Sequence, residues 1–313
     1  MVPSIGIRIF AWIRVSRLQF FPMAFAAYSL GAAAAWHTGR IFSAAEFAFG
    51  YLILFLIELA SIWTNEIHDQ ETDRLNVNYS MFTGGSRMLV EKRLLPSEVR
   101  NGIRCIFVMI FFATLAFFGT SRSLPVFPAT LLILTGLVLG IGYTAPPLKV
   151  AYRGGGEFLV GFTHSQYLIL CGYVFQGGPP LDALPWGIGV PLFLAVLSAI
   201  ILAGVPDYAA DLQVRKRTVA VICRPRTALF LSATAAVAAA PSLYFSLERL
   251  PGIEPVWIGP VLFHGLVLVA VLLRTAFSGG YDSPMKAPLS LSLSYIMWFG
   301  IVPLAALSRW MGS

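Results

Sequence analysis

The chain has 313 residues, of which 57% are apolar and 12% charged, and its net charge is +7. Soluble domains carry roughly a quarter charged residues, so this composition excludes an ordinary water-soluble fold and points to a membrane protein. No Lys/Arg run is long enough to follow a phosphate backbone, which excludes nucleic acid as the partner.

Residues 1–18 interleave Ile, Phe and Trp with Arg8 and Arg14, a pattern suited to an amphipathic helix lying flat at the membrane interface. Nine apolar stretches follow, near residues 20–36, 44–64, 100–118, 126–143, 157–175, 185–205, 227–245, 255–273 and 289–308. Their lengths suit membrane crossing, and the Gly and Pro residues in several of them are tolerated in membrane helices. The basic start, apolar run and Ala33–Ala35 also resemble a signal peptide. With eight further spans downstream, a retained first helix is the expectation. The predicted fold is all-α, one polytopic domain over residues 1–313 with about nine transmembrane helices. Cys105, Cys171 and Cys223 are scattered without metal or disulfide spacing and read as packing residues.

With the N-terminus in the cytoplasm, the loops on that side hold 17 of the 22 Lys and Arg residues. The other side holds Arg40, Arg122, Arg249 and Arg309, and Arg104 falls just inside the third span. This bias predicts an N-in, C-out topology. Two connections are long and polar, 65–99 after the second span and 206–226 after the sixth. Four crossings separate them, so both emerge on the same basic face, together with the loop from Tyr143 to Glu157. Spans 2 and 6 therefore look like equivalent members of a pseudo-repeat.

The first polar loop opens Asn65-Glu66-Ile67-His68-Asp69-Gln70-Glu71-Thr72-Asp73-Arg74. On a continuous helix, Asn65, Asp69 and Asp73 share one stripe, which Ser61 and Glu58 continue into the membrane. Acids beside a bilayer are costly and usually functional. A divalent cation takes hard carboxylate oxygens and can hold a phosphate group in turn. The ordinary explanations are a solvated helix end for the aspartates and a bond to a neighbouring helix for Glu58. The second loop opens Asp207-Tyr208-Ala209-Ala210-Asp211, then Arg215-Lys216-Arg217-Thr218. Acids suit a metal and cations suit free phosphate oxygens; by itself the segment also fits a positive-inside anchor with incidental ion pairs. Together the two clusters point to diphosphate chemistry.

Between them, Thr83-Gly84-Gly85-Ser86-Arg87 offers backbone N–H groups and a guanidinium to an anion, or forms a plain turn. Tyr143-Thr144-Ala145-Pro146-Pro147-Leu148-Lys149 and Tyr152-Arg153-Gly154-Gly155-Gly156 add two aromatics and two cations to the same face, as an interfacial belt would. In the fifth span, His164 and Gln166 fit hydrogen bonds between helices better than a polar acceptor.

Asn65-xxx-Asp69-xxx-Asp73 with Asp207-xxx-Asp211 resembles the UbiA superfamily of intramembrane prenyltransferases, over nearly the whole chain. Thr83–Arg87, the Tyr-Thr-Ala-Pro-Pro loop and Pro206–Asp211 most resemble the branch that prenylates 1,4-dihydroxy-2-naphthoate for menaquinone. Two positions depart from the family pattern: Arg215 stands where Gly is usual, and Gly204 where Asn is frequent. The resemblance implies a bundle around a central cavity, open sideways to lipid and capped by cytoplasmic loops. It implies Mg²⁺ held by Asp69, Asp73, Asp207 and Asp211, with Asn65 as a further ligand. Arg87 and Lys149, with Lys216 and Arg217, would neutralise charge on the departing diphosphate, and Arg74 and Arg153 would join them in binding it. Tyr143, Tyr152 and Tyr208 would wall the allylic cation, and Glu58 would contact substrate. The expected function is transfer of a polyprenyl group from its diphosphate to an aromatic acceptor in quinone biosynthesis, in a bacterial inner membrane with the active site cytoplasmic. Two alternatives share some of these features. A membrane terpene cyclase would ionise the same diphosphate without an acceptor. A carrier of an anionic or metal-bound solute would place its site nearer the midplane.

Overall fold

In the computed structural model, the described residues are 5–120, 125–247, 258–281 and 283–310. Among them there is no strand. The helices are α1 (Ile5–Val15), α2 (Phe21–His37), α3 (Ala44–His68), α4 (Gln70–Leu75), α5 (Pro96–Thr120), α6 (Val126–Gly142), α7 (Gly156–Phe162), α8 (Leu168–Val174), α9 (Ala183–Gln213), α10 (Val219–Cys223), α11 (Pro225–Leu247), α12 (Ile258–Ser278) and α13 (Lys286–Trp310). Seven segments are long and apolar enough to cross a membrane: Ile5–His37 taken as a unit, α3, α5, α9, α11, α12 and Lys286–Leu307 of α13. The predicted fourth span is α6, shorter at 17 residues. The predicted fifth span is a composite in which α7 runs into one π turn (Thr163–Tyr167) and then α8. The ninth stretch of the sequence is α13, so every predicted span has a helix.

Local sequence accounts for the ends that matter. Ser43 caps α3 by accepting from the Glu46 N–H at 3.3 Å, the first half of a Ser-x-x-Glu box. Asp182 caps α9 by accepting from the Leu184 N–H. Thr218 caps α10 by accepting from the Val221 N–H at 3.4 Å.

The centre of the bundle is α2 against α8, and every residue of α8 is buried. Their backbones nearly touch: a Cβ on Gly31 would lie 1.9 Å from the Ile169 carbonyl oxygen, and one on Gly172 would lie 2.0 Å from the Tyr28 oxygen. Small residues at helix crossings are how apolar membrane helices pack closely. On the other side α9 packs on the Ala-rich α11, where the Ser198 and Ser232 hydroxyls meet at 3.1 Å. By contrast α5 exposes Phe107, Val108, Phe111, Phe112 and Leu115, and α12 exposes Phe263 and Leu266. Such continuous apolar faces suit lipid rather than water. Helix α1 exposes Ile5, Ile9, Phe10 and Ile13, and its Arg8 donates to Glu98 of α5 at 2.5 Å.

Both polar loops and the Tyr143–Glu157 segment meet at one end of the bundle, as the count of crossings requires. Cross-loop bonds join them, among them Asn76 to Asp207 at 2.6 Å, Lys216 to Asp69 at 2.9 Å, and the Arg217 N–H to the Tyr152 carbonyl at 3.4 Å. One expectation is corrected. The polar stripe is not carried by a single straight helix, because α3 ends at His68 and Asp69 (φ −93°, ψ 4°) hinges it to α4. The i to i+4 bonds survive the hinge, from the Asp69 N–H to the Asn65 oxygen and from the Asp73 N–H to the Asp69 oxygen.

Candidate active site

A cavity of about 350 Å³ opens between α3, α6, α7, α9 and α13 at the end where the loops meet. Its polar end is lined by Asn65, Glu66, Asp69, Asp73, Asn76, Asp207, Asp211 and Lys216, and its depth by Leu54, Ile57, Leu139, Leu168, Val196, Ile200 and Leu293. A long apolar chain with an anionic head has the matching polarity.

Asp69 is held from two sides. It accepts from the Tyr152 hydroxyl at 2.7 Å and pairs with the Lys216 ammonium at 2.9 Å. Tyr152 is itself flanked by cations, with Lys149 Nζ 4.6 Å and Lys216 Nζ 5.2 Å from its ring centre. Asp73 is buried beneath the glycine turn. Gly85 adopts φ +68°, and a Cβ there would lie 2.0 Å from the Asp73 Oδ2. Only glycine fits both the left-handed backbone and that contact. Burial, with the nearby Glu66, Asp69 and Asp207 carboxylates, pushes Asp73 up to about 8. Burial pulls Lys216 down, but Asp69 and Asp211 overcome it and hold the ammonium well above its ordinary range. Burial raises the Tyr143 and Tyr152 hydroxyls, and Asp69 raises Tyr152 further.

The sequence matches the profile of the UbiA prenyltransferase family over residues 24–287, more than four-fifths of the chain. The chain belongs to the UbiA prenyltransferase family. Among solved structures it is similar to an apo UbiA homologue from Aeropyrum pernix K1, at 18% identity and a TM-score of 0.64, covering 99% of this chain and 100% of that one. It is also similar to a digeranylgeranylglyceryl phosphate synthase, at 14% identity and a TM-score of 0.58, covering 96% and 99%. A third similar structure is a UbiA homologue from Archaeoglobus fulgidus bound to GPP and Mg²⁺, at 16% identity and a TM-score of 0.56, covering 94% and 99%. No curated protein sequence matches it.

Within this UbiA chain, Glu58, Asn65, Asp69, Asp73, Tyr143, Asp207, Asp211 and Lys216, all singled out from sequence, line the cavity, as do Ser61 and His164. Tyr152 lies behind Asp69, and Lys149 lies over Tyr152, one layer from the cavity. Arg87 is turned away: its guanidinium stacks 4.3 Å over Tyr79 and donates to the Asp73 carbonyl. Arg74 pairs with Glu71 at the surface, Arg153 donates to the Pro147 carbonyl, and Arg217 is exposed. Tyr208 packs against the apolar core outside the lining. Gln166 donates to the Pro185 carbonyl of α9 at 2.9 Å, the helix-to-helix bond expected of it.

Sequence reasoning passed over Asn76, Glu66 and Glu157, which line the cavity. Asn76 donates to Asp207 at 2.6 Å, tying the first loop to the second cluster. Glu66 accepts from the Ser86 N–H at 2.8 Å and its hydroxyl at 2.6 Å, anchoring the glycine turn. Glu157 accepts from the Val219 N–H at 2.7 Å. The motif string itself contained Glu66; the others lacked any spacing that would single them out.

Among the described residues, no three carboxylate, imidazole or thiol groups stand close enough together to cage a metal ion. The donor chemistry nevertheless suits Mg²⁺. Four aspartates and Asn65 present hard oxygens to one cavity, and the crowding that raises Asp73 is surplus negative charge. Mg²⁺ is commonly held by one or two carboxylates plus substrate phosphates rather than by an all-protein cage, which agrees with this spacing.

Proposed function

We propose that this enzyme transfers a polyprenyl group from its diphosphate to an aromatic acceptor with the help of Mg²⁺, and that 1,4-dihydroxy-2-naphthoate is the acceptor. The observation that carries this reading is the convergence of Asp69, Asp73, Asp207 and Asp211, from two distant parts of the sequence, on the polar end of one otherwise apolar cavity. The GPP and Mg²⁺ bound by the Archaeoglobus fulgidus homologue support it. The acceptor rests on the resemblance of the Thr83–Arg87 and Tyr143–Pro147 segments to the menaquinone branch. The excess of Lys and Arg on the loop side supports a cytoplasmic active site, in a bacterial inner membrane.

Asn65, Asp69, Asp73, Asp207 and Asp211 would hold Mg²⁺, which when bound neutralises diphosphate charge. Lys216 would exchange part of its pairing with Asp69 for a diphosphate oxygen as charge builds there. Lys149 backs Tyr152 and so holds the Tyr152 hydroxyl in its bond to the Asp69 carboxylate. Tyr143 faces the cavity, where its ring offers a π surface to the allylic cation. The apolar depth excludes the water that would quench that cation.

The test is diphosphate release from purified protein given geranylgeranyl diphosphate, with and without Mg²⁺, across a panel of aromatic acceptors. Release requiring both Mg²⁺ and 1,4-dihydroxy-2-naphthoate is the expected result. Dependence on Mg²⁺ but on no acceptor would replace this reading with a terpene cyclase. Movement of an anionic solute across vesicles without diphosphate release would replace it with a carrier.

A further inference from the structure

Deep in the cavity, two ionisable side chains from different helices face each other. Glu58 of α3 and His164 of the π turn both line it, with Glu58 Oε1 3.6 Å from His164 Nε2. Glu58 lies seven residues before Asn65, about 10 Å along the helix at 1.5 Å per residue. The pair thus stands apart from the aspartates, at membrane depth, where an ionisable residue needs a partner or a function.

The hydrogen bonds of the pair are unequal. His164 Nδ1 lies 3.2 Å from the Val160 carbonyl oxygen and 3.1 Å from the Thr163 hydroxyl, and Thr163 has its own acceptor in the Leu159 carbonyl at 2.9 Å. A carbonyl can only accept, so Nδ1 carries a proton. The Nε2 then meets the carboxylate across a gap longer than a hydrogen bond, and Glu58 Oε1 makes none. A buried carboxylate oxygen without a hydrogen bond is costly; Oε1 itself is sealed off, while the rest of the Glu58 side chain, 14% exposed, lines the cavity beside His164. The π turn is what points His164 there: α7 and α8 carry ordinary helical backbone on either side, and single π turns are frequent at functional sites.

We propose that Glu58 and His164, ion-paired as carboxylate and imidazolium, form the subsite that reads a hydroxyl group of the acceptor, with the hydroxyl donating to the Glu58 carboxylate and accepting from the Nε2–H of the doubly protonated His164. One group that both donates and accepts satisfies both members, which a carboxylate or an ether does not. The subsite selects a phenolic hydroxyl and turns an acceptor carboxylate away from Glu58. It leaves the roughly 10 Å between Glu58 and Asn65 for the ring and the reacting carbon beside the diphosphate. Among the described residues, His164 is the one ion-pair partner of Glu58. Tyr51 lies seven residues earlier on the same helix, and α13 presents Leu293 and Ile296 to this cavity. This inference rests on the aromatic-transfer reading, and its test separates the two.

The test measures binding of 1,4-dihydroxy-2-naphthoate and of its dimethyl ether to the full-length protein without prenyl diphosphate, alongside turnover. The wild type should prefer the free hydroxyl compound by about tenfold or more. Glu58→Gln should erase that preference and raise the acceptor KM by a similar factor, with a smaller change in kcat. Because removing one charge from a buried pair can itself unfold a protein, the double variant Glu58→Gln/His164→Gln, which leaves no unpaired charge, is measured as well. Equal wild-type binding of both compounds, binding of neither, or an unchanged preference in the folded double variant would each overturn the subsite. Prenyl transfer that persists in the wild type under any of those outcomes would leave the transferase reading standing. Absence of wild-type transfer, together with a hydroxyl preference that Glu58→Gln removes, would overturn the transferase reading and leave the subsite in place.

Discussion

At the first aspartate cluster the backbone bends: α3 stops, Asp69 forms the hinge and Asp73 sits on a separate short helix under the glycine turn. At the second, Asp207 and Asp211 ride the last two turns of the 31-residue α9 without a break. Asp69 is fixed by Tyr152 and Lys216, whereas Asp207 is fixed across the cavity mouth by Asn76. Asp207 and Asp211 occupy the C-terminal end of α9, where the macrodipole disfavours anions by about 0.3–1 kcal/mol each, whereas Asp69 closes α3 but opens α4, whose first turn holds Asp73. Four carboxylates gathered at one cavity end, with Lys216 the one cation ion-paired to them among the described residues, make a site that is electrostatically incomplete by itself. The difference teaches how the work divides: the hinged cluster adapts through loop contacts, and the helical cluster gives a fixed wall.

The largest effect should come from removing either wall. Asp69→Ala and Asp207→Ala should each lower Mg²⁺-dependent turnover by about 10³-fold or more, with helix content by circular dichroism unchanged. Full metal-dependent activity in a folded variant of either would end the equivalence of the two clusters. Next in size is Gly85→Ala. The left-handed backbone costs about 1–2 kcal/mol for a residue with a Cβ, and the methyl would overlap the Asp73 carboxylate at 2.0 Å. Activity should fall at least tenfold, while Gly204→Ala, whose methyl meets nothing closer than 3.9 Å, should leave activity within about twofold. Gly204 is also a position at which the chain departs from the family pattern, so a loss there as large as at Gly85 would mean that the helical cluster is as sensitive to its backbone as the hinged one.

These contrasts show which parts were legible in the sequence. Hydropathy marked every span, because twenty apolar residues have few soluble explanations. The i, i+4 aspartates marked the polar end of the cavity, because acids next to spans are rare enough to be informative. The hinge at Asp69 was not legible, since the same residues satisfy a straight helix. Nor was the fate of the cations. Arg74, Arg87, Arg153 and Arg217 sit in the right loops, yet a guanidinium reaches several partners from one position, and here Glu71, Tyr79 and the Pro147 carbonyl take three of them. Asn76 escaped notice because its role depends on where its loop folds back, which no local spacing encodes. His164 read as a helix-to-helix hydrogen bond; its facing Glu58 follows from the π turn, which shifts the register by a residue.

A smaller effect concerns pH and metal. Asp73 is an acid whose pKa in the folded, metal-free protein stands at about 8, above its ordinary value of 3.8. The folded state therefore holds this proton more tightly than the unfolded chain does. That contribution to stability is complete below about 3.8 and is lost as pH rises through about 8. With chelator present, the melting temperature should fall between pH 5 and pH 8.5. Mg²⁺, which binds the ionised form, should raise it more at pH 8.5 than at pH 5. Asp73→Asn should flatten the metal-free slope. A metal-free melting temperature that rises over this range would mean that Asp73 is already ionised by a partner in the folded protein, and the hinged cluster would then be no more crowded than the helical one.

The smallest effect is expected at Arg74, which stands beside Asp73 in sequence and was read as a diphosphate contact. Its guanidinium makes two bonds to Glu71, at 3.0 and 2.6 Å, and both side chains are more than half exposed. Exposed pairs at i, i+3 contribute no more than about 0.5 kcal/mol, and the residue does not border the cavity. Arg74→Ala should therefore change the melting temperature by about 2 °C or less and leave the prenyl diphosphate KM within about twofold. Lys216→Ala is the instructive partner, because Lys216 reaches Asp69 from the second loop and faces the cavity; its loss should raise that KM by about tenfold or more. If Arg74 proved the more important of the two, the hinge at Asp69 would have to straighten when substrate binds, bringing Arg74 round toward the diphosphate, and the straight polar stripe read from the sequence would describe the loaded enzyme.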